Sequence, residues 1–130
     1  MTLEVSTNAT VEVVEITDQV SATLPDDLTG TCTIFIPHTT AGITINEHES
    51  GLLADIERML RTVVTDDEDY DHDRIDDNAS AHLRSILLGS DVTVPVTDGN
   101  LDLGTWQSIL LVEGDGPRRR RVTVQPVTSK

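Results

Sequence analysis

The chain has 130 residues, the size of one domain, and a sequence this long can bury a core without disulfide staples. Its 23 acidic residues against 9 basic ones leave a formal net charge of −14, and Lys130 is its only lysine. Such a balance repels nucleic acid and anionic membrane and argues against both as partners.

The acids are spread along the whole chain, so they read as an acidic, halophile-type surface rather than as a cation site. Cys32 is the one cysteine, which excludes an intrachain disulfide. It sits beside the apolar run Ile34-Phe35-Ile36 with no cationic neighbour, so a buried strand residue is expected rather than a nucleophile. No apolar stretch approaches the ~18 residues of a membrane span. The opening Met1-Thr2-Leu3-Glu4 has no basic or apolar leader character, and the expectation is a soluble cytoplasmic protein.

In chain order, Thr10 to Ile16 alternates β-branched and polar residues and predicts a strand. Pro25-Asp26-Asp27 and Thr29-Gly30 are turn signals. Thr31 to Ile36 is nearly continuous in apolar and β-branched residues and predicts a strand buried on both faces, ended by Pro37. Gly42-Ile43-Thr44-Ile45 begins another. From Leu52 to Val63 the period changes, since Leu52, Ile56, Met59, Leu60 and Val63 share one helical face. Asp66 to Asp77 carries eight acids with Tyr70 and His72, and is expected as a surface loop. Asp77 or Asn78 can cap a second helix that runs to Leu88 and stops at Gly89, with Asn78, His82 and Ser85 near one line and Leu83, Ile86 and Leu87 as its buried stripe. Val92 to Val96 predicts an edge or bulged strand because of Pro95. Asp98-Gly99 turns the chain towards a strand over Thr105 to Val112, and a last strand spans Arg120 to Val127. Strands outnumber helices, so the expected fold is a single α+β domain over residues 1–130, a mostly antiparallel sheet with packed helices.

Taken singly, His38 after a strand, His82 on a helix and His72 in an acidic loop each have an ordinary structural role, and their wide spacing is a weak metal signal beside a tight pair on one helix. Arg118 to Arg121 is the one dense basic run; it suits either neighbour pairing at a subunit contact or phosphate capture by guanidinium forks. Trp106, the one tryptophan, reads as core or interface packing.

Three segments together have a recognisable pattern: Pro37-His38-Thr39-Thr40-Ala41-Gly42-Ile43-Thr44-Ile45-Asn46-Glu47; Tyr70-x-His72 with Asn78-x-x-Ala81-His82-Leu83; and Val94-Pro95-Val96-x-Asp98-Gly99 through Gly104-Thr105-Trp106-Gln107 to Glu113-x-Asp115-Gly116-Pro117-Arg118. The pattern resembles the YjbQ (UPF0047) family, sometimes called secondary thiamine-phosphate synthases. It departs from that family at Glu49-Ser50, where Asp-Pro is usual, and at Asp77 for glycine, Asn100 for arginine and Gly114 for an aromatic residue. The Asn100 change removes one phosphate contact.

The resemblance implies a homotrimer and thiamine-phosphate synthase-like chemistry, in which a pyrimidine methyl pyrophosphate joins a thiazole phosphate. It also implies a phosphorylated small-molecule substrate. His38, His72 and His82 would hold a divalent metal such as zinc. His38, Glu47, Asp115 and Arg118 would be catalytic, with Asn46 and Glu47 orienting a ligand histidine. Thr39, Thr40, Asn78, Thr105, Gln107 and Arg120 would bind the substrate, helped by backbone N–H groups near Gly42 and Gly104. Two other classes compete: a non-catalytic trimer that binds a metal or small anion, and a hydrolase that uses metal-bound water with Asp115 or Glu113 as base.

The charge itself generates one prediction. The Debye length shrinks from about 10 Å at 0.1 M salt to about 3 Å at 1 M, so the midpoint of thermal unfolding should climb across that range. A flat response would mean that the acids are locally paired.

Overall fold

The β-branched runs become strands, most of them with one face turned inward. In the computed structural model, which describes residues 1–129, eight strands and three α-helices follow one another. They are β1 (Thr2–Ser6), β2 (Glu12–Glu15), α1 (Thr17–Ser21), β3 (Gly30–Phe35), β4 (Ala41–Asn46), α2 (Ser50–Val63), α3 (Ala79–Leu88), β5 (Asp91–Thr97), β6 (Asn100–Leu101), β7 (Ser108–Glu113) and β8 (Arg119–Thr128). A single 3-10 turn, Asp71–Arg74, interrupts the acidic loop before α3. No helix among the described residues is long and apolar enough to cross a membrane.

The strands form two antiparallel sheets, one ordered β1-β8-β3-β5-β6 and the other β2-β7-β4. The α+β reading with a mostly antiparallel sheet therefore holds. Val5, Cys32, Ile34, Val94, Val96, Val122 and Val124 from the first sheet meet Ala41, Ile43, Ile109 and Leu111 from the second, and Ile16 and Val20 close the same cluster. Cys32 is fully buried in it, as the sequence predicts, and burial pushes its thiol pKa up.

Strand β7 is buried on both faces. Ile109 and Leu111 belong to the inter-sheet core, while Leu110 and Val112, on the alternate face, are equally enclosed. Glu113 continues the first series. Alternation on β8 likewise leaves Arg119 and Arg121 exposed and turns Arg120 inward with Val122 and Val124. The two-sheet core thus ends in one acid and one base.

Several expectations need correction. Strand β3 is buried on one face only, and Phe35 remains 42% exposed. The final strand-like run starts at Ser108 rather than Thr105, because Thr105-Trp106 forms a turn closed by Gln107 N–H donating to Gly104 O at 3.0 Å. On α2, Leu60 is buried but Met59 and Val63 are exposed. The largest difference is on α3. Leu83, Ile86 and Leu87 are exposed, and the helix instead buries Ala79, Ala81 and Arg84.

The small residues explain that rotation of α3. A Cβ at Gly42 of β4 would lie 2.6 Å from Leu88 Cβ and 3.0 Å from Gly89 O, so helix and strand touch almost backbone to backbone. Arg84 reaches across to the last turn of α2, donating to Val64 O at 2.7 Å and Leu60 O at 3.3 Å and pairing with Asp66 at 3.1 Å. Val64 O is a carbonyl that the helix end leaves open, while Leu60 O also accepts the Val64 N–H at 3.0 Å. This docking sets His82 beside the segment that carries His38.

Candidate functional site

The inward pair at the end of β7 and β8 is the foundation of the site. Arg120 is 2% exposed and Glu113 is fully buried. Arg120 Nε donates to Glu113 Oε1 at 2.8 Å, and its Nη2 forms a shorter bond to Oε2. Glu113 also accepts from Thr7 Oγ1 at 2.8 Å and from the Asp115 N–H at 2.9 Å. Arg120 Nη2 donates to Thr40 Oγ1 at 2.9 Å as well. Burial alone would push the Glu113 carboxyl up, but the hydrogen bonds from Arg120, Asp115 and Thr7, with the Arg120 charge, outweigh it and hold the pKa below the usual value.

Above this pair lies an open cleft of about 530 Å³, walled by Pro37, His38, Thr39, Thr40, His72, Asp76, Asn78, His82, Arg118 and Arg120. The acidic loop supplies His72, the start of α3 supplies Asn78 and His82, and the segment between β3 and β4 supplies His38 to Thr40. Asn78 stands at the N-cap of α3 but makes no capping bond with its side chain. Its Nδ2 donates to Asp115 Oδ2 at 2.9 Å, and its Oδ1 lies 3.1 Å from His72 Nε2. Asp73 accepts the Ala79 N–H at the helix start instead.

Asp115 is clamped from the other side by Arg118, whose Nη2 donates to Oδ2 at 2.7 Å and whose Nε donates to Asp115 O at 2.7 Å. Burial raises the Asp115 pKa, but the bonds from Asn78 and Arg118 and the nearby arginine charges more than reverse this. The His72 and His82 rings meet edge to face, with centroids 4.6 Å apart. His38 Nε2 accepts the Arg121 N–H at 2.9 Å. Burial lowers the His38 pKa, Arg120, Arg121 and Arg118 lower it further, and Glu113 offsets only part. His38 is therefore a neutral imidazole at neutral pH.

The structure brings together His38, Thr39, Thr40, His72, Asn78, His82, Arg118 and Arg120, with Asp115 directly behind them. It does not bring Glu47, Thr105 or Gln107 to that cleft within one chain. In the β4–β7 register Ala41 pairs with Glu113 at the cleft end, while Asn46 pairs with Ser108 at the other. At about 3.4 Å per residue the two ends are about 17 Å apart. Gln107 is occupied in its own turn, accepting the Gly104 N–H at 2.8 Å, and Asn46 accepts the Glu47 N–H. Glu113 is too enclosed and too fully bonded to act as a base. Gly42 lies within β4, its backbone in the β4–β7 ladder, and the Gly104 N–H is taken by Gln107, so neither offers an anion nest.

The three histidines share the cleft but do not form a metal cradle as placed. No group of three or more His, Cys, Asp or Glu side chains among the described residues is arranged to hold an ion. His38 Nε2 has its lone pair on a backbone N–H, which puts the proton of the neutral ring on Nδ1. A metal on all three rings would require His38 to release Arg121.

Residues the sequence reading missed are Thr7, Asp76 and the Arg121 amide. Thr7 follows β1, whose short run carries no strand signal strong enough to read from sequence, and a backbone donor leaves no side-chain signature.

Fold and site define a small two-sheet α+β protein with an open cleft walled by histidines and arginines. Residues 1–129 match the UPF0047 protein YjbQ-like family. The chain is 49% identical to a UPF0047 protein of Methanothermobacter thermautotrophicus over 94% of this chain and 87% of that one. It is 48% identical to a UPF0047 protein of Archaeoglobus fulgidus over 96% and 98%. Among solved structures it is similar to a YbjQ-like protein of unknown function from Sulfolobus solfataricus, with TM-score 0.91 and 41% identity over 99% of this chain and 96% of that one. A hypothetical protein from Aeropyrum pernix superposes with TM-score 0.95 at 35% identity, over 99% and 98%. The chain belongs to the YjbQ (UPF0047) family.

The carboxylates beneath the cleft predict an acid limb in stability. Folded Glu113 and Asp115 have pKa values below their ordinary 4.5 and 3.8. Their contribution is complete above those ordinary values and is lost as pH falls below them through the lowered folded values. Protonation of unpaired surface acids relieves repulsion and acts in the opposite sense, so the readout is a difference. Between pH 5 and pH 3, urea unfolding of Asp115→Asn should lose less stability than the parent protein. Identical acid limbs would contradict the assigned role of Asp115.

Proposed function

We propose that the cleft binds a phosphorylated small molecule and that the protein is a group-transfer enzyme of the thiamine-phosphate synthase-like kind, acting in the cytoplasm. The observation that carries this reading is the set of donors on the cleft wall, of which Arg118, Arg120 and His38 are oriented by partners behind them. Asp115 holds Arg118 by two bonds, and Glu113 holds Arg120 by two, leaving the Nη1 atoms outside those bonds. Among the described residues no buried side-chain polar atom lacks a partner, which leaves Arg120 Nη1 reaching solvent at the cleft. His38 adds a neutral ring with its proton on Nδ1, and Thr39 adds an exposed hydroxyl.

Preoriented guanidiniums suit phosphate oxygens and a departing pyrophosphate, whose charge must be neutralised as its bond to the pyrimidine methyl carbon breaks and the thiazole nitrogen bonds there. Glu113 and Asp115 stand behind the arginines, and Asp76 is the one carboxylate among the lining residues of the wall.

The reading includes a homotrimer. Leu83, Ile86 and Leu87 on α3 and Trp106 in its turn are exposed, at 39%, 75%, 58% and 72%. Contact between copies would cover them. It would also offer a route by which Glu47, Thr105 and Gln107 of one copy approach the cleft of another.

Phosphate titration by calorimetry tests the site. Arg118→Ala should weaken binding about ten-fold, the scale of a lost charge-assisted hydrogen bond. Arg119→Ala, whose side chain is exposed and pairs with Glu4 at 3.7 Å, should leave binding unchanged. Equal losses from both would reduce the effect to general charge. Light scattering should give three chains per particle, and a monomer would refute the assembly.

A further inference from the structure

Hydrogen bonds at the cleft fix which nitrogen carries the proton in two of its histidines, His72 and His38, in opposite senses. The Asp115 carboxylate is held ionised and accepts bonds only, so the Asn78 group facing Oδ2 at 2.9 Å is the NH2. Asn78 must then turn its carbonyl Oδ1 to His72, and an amide carbonyl cannot donate. The His72 nitrogen at 3.1 Å, Nε2, is therefore the protonated one, and the neutral ring has its lone pair on Nδ1. His38 is set the other way. The Arg121 backbone N–H can only donate, so His38 Nε2 accepts and Nδ1 has the proton.

We propose that Asp115 and Asn78 are positioning residues that make His72 Nδ1 a hydrogen-bond acceptor in the cleft, opposed to His38 Nδ1–H as a donor, and that this polarity selects a phosphorylated ligand bearing an O–H or N–H group. The ligand half rests on the phosphate reading of the cleft given above. Arg118, Arg120, Thr39 and His38 can all donate to anionic oxygens, whereas a lone pair at His72 repels them and accepts from a hydroxyl or amine. Arg118 completes the device, since its two bonds keep Asp115 from turning away from Asn78. A histidine free to exchange tautomers would accept either kind of ligand group, and the relay removes that freedom.

Long-range proton–nitrogen correlation spectra of the full chain, labelled with 15N-histidine, read tautomers directly. At about two pH units above the ordinary imidazole pKa of ~6.5, the ligand-free protein should show His72 protonated on Nε2 and His38 on Nδ1. Asn78→Ala should move His72 to a mixture of tautomers and leave His38 unchanged, and Asp115→Asn, which frees the amide to flip, should do the same. His72 protonated on Nδ1 in the parent protein would overturn the proposal, as would an unaltered His72 tautomer in both variants. Two probes address the ligand class. Ethanolamine phosphate should shift His72 Nδ1 more than methyl phosphate, which has no donor as the dianion, and equal shifts would overturn the selectivity. If neither probe perturbs His38, the phosphate reading of the cleft fails, while the tautomers in the ligand-free protein still decide the positioning role.

Discussion

The buried pair of Glu113 and Arg120 is the interaction on which the rest of the structure depends. It stands where the core between the two sheets runs out, with the acid on one sheet and the base on the other. Two charges taken out of water are tolerable only when every remaining donor and acceptor is matched. That requirement organises the neighbourhood. Glu113 takes Thr7 from the end of β1 and the Asp115 amide from the turn after β7, and Arg120 takes Thr40 from the approach to β4. Three connecting segments are thereby anchored to one ion pair.

The cleft is built on those anchored segments. Fixing the Asp115 backbone fixes its carboxylate, which places Arg118 and Asn78, and through Asn78 the His72 ring. Fixing Thr40 holds the stretch that carries His38 and Thr39, which is also held by the Ser85 hydroxyl on Thr39 O at 2.8 Å and the Arg121 N–H on His38 Nε2 at 2.9 Å. Gly42 lets α3 approach closely enough for His82 to join them. A chain with net charge −14 thus presents arginine donors at one place, because their carboxylate partners lie beneath them rather than beside them.

Much of the fold was legible in the sequence. Alternating β-branched residues located most strands, and the change of period at Leu52 located α2. The α3 stripe misled because Leu83, Ile86 and Leu87 have the look of a core face, whereas the close contact with β4 selects the alanines. At the cleft, the histidines, Asn78, Arg118 and Asp115 were legible as motif residues. Their roles were not, because a tautomer depends on hydrogen-bond partners that lie far off in sequence: Arg121 for His38, and Asp115 through Asn78 for His72. Glu47, Thr105 and Gln107 belong to the same motif set but lie at the far end of β4 and β7, since order along a chain says nothing about which end of a strand a residue occupies.

The central claim is that the Glu113–Arg120 pair holds the site together, and a double-mutant cycle in urea unfolding tests it most directly. Glu113→Leu and Arg120→Met each leave a buried charge without its partner, and each should destabilise the fold by about 3–5 kcal/mol. The double variant leaves neither charge, and its loss should fall well short of the sum of the two. Single losses within about 0.5 kcal/mol of zero, the range of ordinary surface changes, or strictly additive losses, would contradict the account.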